Sequence, residues 1–232
     1  MRSDSHWKRV AALMYTAAIM LFAAHAAVGA EQGSGANEQL HTARRLLVQA
    51  AEVETRPTRF LLQELRGNGE VRESLEVIPD QGDGEAEYRL NGTRIDPETD
   101  SLGRFDSFAD MFTDESDEDS GDPEDATPRF ETLQGTPDGS FVTVNGRRTE
   151  VWDIEFDTRG GDVNSGSLYL LPGTGVPVRL TYDADTPMFV SAATDSFYRQ
   201  ASDGSLERRL IEIRFRIGAL FLSRTYRIVI DY

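Results

Sequence analysis

From Arg129 to the C-terminus, apolar and polar side chains alternate with a period of two. Trp152, Ile154 and Phe156 alternate with Asp153, Glu155 and Asp157; Val176, Val178, Leu180 and Tyr182 alternate with Pro177, Arg179, Thr181 and Asp183. Ile211, Ile213, Phe215 and Ile217 do the same against Glu212, Arg214 and Arg216. A strand with one dry and one wet face belongs to an antiparallel sheet, since parallel strands are buried on both sides. Asp138-Gly139, Asn145-Gly146, Pro172-Gly173 and Asp203-Gly204 punctuate the run as hairpin turns would. Upstream, residues 60–65, 71–78 and 86–90 read as further strands, and Asn91-Gly92 turns the chain toward Ile95. The total is about ten or eleven strands.

Against this stands one long helix, predicted over 37–54. Leu40, Ala43, Leu47 and Ala50 recur at steps of three and four, Asn37 is available as N-cap, and Pro57 closes the far end. Neighbouring strands are spaced about 4.8 Å apart, and a helix about 10 Å across covers two or three of them. A wide sheet with one helix must therefore curl. The predicted fold is mainly β: a strongly curved antiparallel sheet forming an incomplete, half-open barrel around the N-terminal helix. A short helix carrying Leu102, Phe105, Phe108, Met111 and Phe112 plugs it. Trp152, Ile154, Phe156, Leu180, Tyr182, Ile213 and Phe215 would line a concave apolar cavity, with Phe105, Phe108 and Phe112 as its lid. Such cavities take small molecules or acyl chains. The alternative is an interior filled by aromatic rings, of which there are 12 Phe, 7 Tyr and 2 Trp.

Residues 1–30 follow the plan of a secretory signal: a basic Met1–Arg9, an apolar Val10–Ala24, then Ala24-His25-Ala26 and Val28-Gly29-Ala30. Cleavage after Ala30 would leave a single domain over 31–232; the competing reading holds residues 10–30 as an uncleaved inner-membrane anchor. No cysteine exists, so neither a disulfide nor a lipoprotein anchor is available. Of the 24 basic and 40 acidic side chains, three and one lie in the first thirty residues, which leaves 21 against 39 and a net charge of −18. That field repels phosphate backbones and excludes nucleic acid as a partner. The run over 114–125 reads as a disordered acidic loop. Its Asp117 and Asp119 fall short of a calcium loop, because Gly121 stands where the third ligand is needed.

Chemistry-bearing residues are few. His41, on the polar flank of the helix, is the only histidine beyond the leader, and Lys8 is the only lysine in the chain. Cys-His, Schiff-base and histidine-metal sites are thereby excluded or nearly so, and no catalytic residue, metal or cofactor is expected. Asp153, Glu155 and Asp157 share one strand face, where a solvated edge is favoured over a hydrolytic carboxylate pair. Arg208, Arg209, Arg214, Arg216, Arg224 and Arg227 gather on the C-terminal hairpin. They form either a docking patch for anionic head groups or an acidic partner, or ion pairs with acids on neighbouring strands or the 114–125 loop.

The stretch from Glu150 to Tyr232 resembles the LolA-like periplasmic proteins, the outer-membrane lipoprotein-sorting carriers and their relatives. The residues that carry the likeness are Val151-Trp152-Asp153-Ile154-Glu155-Phe156, Gly166-Ser167-Leu168-Tyr169-Leu170 and Gly175-Val176-Pro177-Val178-Arg179-Leu180. Pro187-Met188-Phe189-Val190 and the segment from Phe221 to Arg227 continue it. The resemblance implies an unclosed barrel that accommodates acyl chains, and a non-enzymatic carrier role in the periplasm with lipid or lipoprotein acyl chains as cargo. The chain departs from it at Arg66-Gly67-Asn68-Gly69-Glu70-Val71-Arg72-Glu73, where the lipoprotein carriers have an Arg-Pro-rich stretch used in holding and releasing cargo. The expected protein is therefore a monomeric carrier of an amphiphile; a non-enzymatic envelope interaction protein with a filled core is the alternative, and a carboxylate-dependent hydrolase the weaker one.

Overall fold

The computed structural model describes residues 35–53, 55–80, 86–97, 99–105, 127–184, 191–217 and 224–232. The expected leader over 1–30, the expected acidic loop over 114–125, Phe108 and Phe112 lie outside the described residues. Helix α1 spans Ala36–Glu52. The strands are β1 (Arg59–Leu65), β2 (Val71–Ile78), β3 (Glu87–Leu90), β4 (Thr93–Ile95), β5 (Pro128–Val144), β6 (Arg147–Thr158), β7 (Val163–Leu170), β8 (Pro177–Ala184), β9 (Ser191–Gln200), β10 (Leu206–Ile217) and β11 (Arg224–Asp231). No helix among the described residues is long and apolar enough to cross a membrane.

All eleven strands join one antiparallel sheet in the order β4-β3-β2-β1-β11-β10-β9-β8-β7-β6-β5. From β5 to β11 each strand pairs with the next in sequence, and β11 then takes β1 as its far neighbour, with Phe60 opposite Ile230. The first four strands are thus hung on the end of the chain. The sheet does not close: β4 and β5 are its two edges. Both Asn-Gly pairs turn as expected, with positive φ at Asn91, Gly92, Asn145 and Gly146, the geometry of a type I′ hairpin.

Helix α1 buries Leu40, Ala43, Leu46, Leu47, Ala50 and Ala51, a broader stripe than the four positions read from periodicity. It lies against β5, β8 and β10. The helix also starts one residue before Asn37, behind Gly35, with no side-chain cap, and ends at Glu52, where Val53 turns extended. Its early end is seated by Gly175, whose φ is +71° and where a Cβ would lie 2.4 Å from the Gln39 carbonyl oxygen. The plug helix expected over 102–112 is, in its described part, a single 3₁₀ turn at Gly103–Phe105.

Candidate functional site

Cross-strand register places the interior side chains on one face. Trp152 is opposite Leu168 and Phe156 opposite Asn164, Leu168 is opposite Leu180 and Gly166 opposite Tyr182, and Leu180 continues to Ser196 on β9. Ser196 is opposite Ile211, which meets Ile230. On this common face the apolar residues form two clusters. The first joins α1 to β5–β8 and to Tyr198 of β9 and Leu206 of β10, and holds Trp152, Ile154, Phe156, Leu168, Leu180 and Tyr182. Phe156 sits at its centre, 5.6 Å from Phe130 and edge-on to Tyr182 at 5.2 Å between ring centroids. The second cluster joins β1–β3 to β10 and β11 through Phe60, Leu75, Tyr88, Phe215, Tyr226 and Ile230. Phe215 stacks on Tyr226 at 5.5 Å.

The expected cavity residues therefore divide. Trp152, Ile154, Phe156, Leu180 and Tyr182 belong to the first cluster, whereas Phe215, the half-buried Ile213 and the lid residue Phe105 belong to the second. Strand β9 gives Tyr198 to the first cluster and Ala192 to the second, and its inward positions between them, Thr194 and Ser196, are polar and buried. Tyr182 shares a hydrogen bond with Thr194, and burial pushes its hydroxyl pKa far above the usual tyrosine value against the pull of that bond. Tyr198 is likewise raised, first by burial, while Arg208 and Ser196 pull the other way. Arg208 itself is only 6% exposed, with its guanidinium 5.5 Å from the centroid of the Tyr232 ring. The Trp152 indole N–H, buried in the first cluster, meets no acceptor.

The structure also separates the six C-terminal arginines. Arg208 faces the interior. Arg214 pairs with Glu212 at 2.7 Å, and Arg227 donates to Gln63 at 2.8 Å and lies 3.9 Å from Glu212. Arg224 is exposed at the start of β11 and is hydrogen-bonded to Tyr226, which raises its pKa. Arg209 and Arg216 are exposed. Asp153 and Glu155 stand exposed, on the face away from Trp152. The interior seam of Thr194, Ser196 and Tyr198 was missed by hydrophobic patterning, because Ala192 to Tyr198 alternates small polar residues with Asp195 and Phe197 and so carries little contrast between its faces.

No family model matches the chain, and no curated protein matches it. Among solved structures it is similar to a LolA superfamily protein from Nitrosomonas europaea, at 9% identity and a TM-score of 0.34, over 86% of this chain and 94% of that one. It is similar to a domain assigned to an outer membrane lipoprotein-sorting protein from Vibrio parahaemolyticus, at 10% identity and a TM-score of 0.36, over 85% and 92%. The MucA/MucB complex of Pseudomonas aeruginosa also contains a similar chain, at 11% identity and a TM-score of 0.20, over 81% and 93%.

Proposed function

We propose that the protein is exported to the periplasm and there binds an amphiphile, with the acyl part held on the inner face of the open sheet. The observation that supports this most is a mismatch of coverage. Eleven strands share one inner face, yet α1 lies against β5, β8 and β10 and contributes no residue to the second apolar cluster. Burial of an acyl chain there would yield about 25 cal/mol per Å² of apolar surface. The aromatic packing of Phe130, Phe156 and Tyr182 supports a second reading, an envelope interaction protein whose interior is filled.

A fluorescent fatty-acid analogue separates the two. On the carrier reading it binds with saturation, shifts the emission of Trp152, and is displaced by lipid extracted from the purified protein. A lipid-free preparation that takes up no analogue would establish the filled interior instead.

A further inference from the structure

Among the described residues the β5 edge of the sheet is free, and it offers a site that the interior does not explain. Strand β6 pairs with β7 from Glu150 to Asp157, so Arg147, Arg148 and Thr149, with Val142 to Val144 opposite, run past the sheet as a two-stranded arm. In a type I′ hairpin the residues flanking the Asn145-Gly146 turn, Val144 and Arg147, exchange both backbone hydrogen bonds. Alternation then gives Val142 to the β6 ladder, in keeping with its carbonyl also accepting the Thr149 hydroxyl at 3.0 Å. The N–H and C=O groups of Phe141 and Thr143 consequently point away from β6, along the open edge.

The rest of β5 is protected from strand addition. Pro137 interrupts its middle, and the register shifts between Pro137 and Phe141, where Asp138 accepts the Ser140 N–H at 2.6 Å. Prolines and bulges of this kind blunt an edge. The arm has neither. It carries instead Phe141, 46% exposed, and Val142, 39% exposed. Arg148 lies 4.1 Å over the Phe141 ring. In a chain of formal net charge −16, neither Arg147 nor Arg148 has a carboxylate partner among the described residues.

We propose that the β5 edge from Ser140 to Val144 is a docking site for an extended acidic segment of a partner protein, added as a further strand. Phe141 and Thr143 would supply the backbone hydrogen bonds, Phe141 and Val142 the apolar contacts on the two faces, and Arg147 and Arg148 the charge complement. This surface is independent of the carrier reading.

Hydrogen exchange on the full chain, with and without a synthetic peptide alternating glutamate and valine, tests it. The Phe141 and Thr143 amides should slow by roughly tenfold or more, while Val142 and Val144, already bonded to β6, change little. Thr143→Pro removes one outward N–H at an edge position where proline is tolerated, so it should weaken peptide binding about tenfold with an unchanged melting curve. Arg147→Ser with Arg148→Ser should weaken binding and flatten its salt dependence. Peptide binding that leaves both amides fast, or that survives Thr143→Pro at full strength, overturns the proposal. So does protection of these amides by self-association without peptide, which would make the edge a contact between two copies. Binding to phosphatidylglycerol vesicles with no gain in amide protection would instead make the arm a membrane contact.

Discussion

The two apolar clusters share one face of one sheet and are built differently. The first is closed by α1, whose Ala43 and Ala50 let the helix approach closely, and its rings interlock edge to face around Phe156. The second spans the junction where the first strands of the chain meet the last, and it includes Leu102, just before the 3₁₀ turn, and Phe105 within it. The difference teaches where such a fold places rigidity and where it leaves room. A helix fixes one half of the face, and the polar inward residues of β9 keep the two halves from merging into a single core. The same polar seam would let an amphiphile present a head group inside the sheet without leaving buried polar atoms unsatisfied.

The sharpest way to break this comparison is to truncate one large ring on each side. Trp152 is 1% exposed and held between α1 and the sheet, so Trp152→Ala leaves a cavity that cannot collapse and should cost about 4–5 kcal/mol. Phe215→Ala, in the half beyond the helix, should sit nearer 3 kcal/mol because neighbours there can relax. Urea unfolding of both variants measures the difference. Equal costs would mean that the second cluster is as tightly framed as the first, and would remove the argument that it has room for cargo.

These halves were not equally legible in the sequence. Trp152, Ile154 and Phe156 announce themselves because every second residue is an acid, and Leu180 and Tyr182 because Arg179, Thr181 and Asp183 mark the wet face. Periodicity also found the helix, missing its start because Gly35 supplies no side-chain cap for a pattern to detect. What periodicity does not encode is which strands become neighbours at long range. The pairing of β1 with β11 assigns Phe215 and Ile213 to a cluster with Phe60 and Leu75 in place of one with Trp152. The arginines illustrate the same limit, since a β-bulge between Arg208 and Leu210 turns Arg208 inward and leaves Arg209 outside. No residue type in that run signals the bulge.

A second, smaller contrast lies in the tyrosines. Tyr182 and Tyr198 at the first cluster and Tyr88 in the second all have pKa values raised above the ordinary value near 10, chiefly by burial. Below pH 10 each is protonated in both the folded and the unfolded chain, so their contribution is fully present. As the pH climbs past 10, the unfolded chain loses these protons and the folded one keeps them, so stability falls through that interval. Lys8 is the only lysine and there is no cysteine to confuse the result. The melting temperature should drop by several degrees between about pH 9 and 11, with the phenolate signal of these three tyrosines rising on unfolding. Tyr182→Phe should flatten this slope more than Tyr88→Phe does, because the Tyr182 shift is large and its ring is the more deeply buried of the two. A slope untouched by Tyr182→Phe would place the alkaline sensitivity elsewhere.

The smallest expected effect concerns the junction itself. Across the outer face, Arg59 reaches Asp231 at 2.6 Å and Glu76 at 3.4 Å. Arg89 then links Glu76, at 3.7 Å, to Glu87, at 2.8 Å. This chain of ion pairs ties β3, β2 and β1 to β11 directly behind the second cluster. Its members are partly solvated, Arg59 at 42% and Asp231 at 27% side-chain exposure, and exposed pairs are worth about 0.2–1 kcal/mol each. A double-mutant cycle on Arg59→Gln and Asp231→Asn should therefore give a coupling of about 0.5–1 kcal/mol at low salt, shrinking toward zero near molar salt. Coupling of that size means that the junction is held by the apolar side chains beneath it and trimmed by charge above. A coupling of several kcal/mol that persisted in salt would reverse that order, and would make the half of the sheet beyond the helix an ionic assembly whose apolar face could open without loss of the fold.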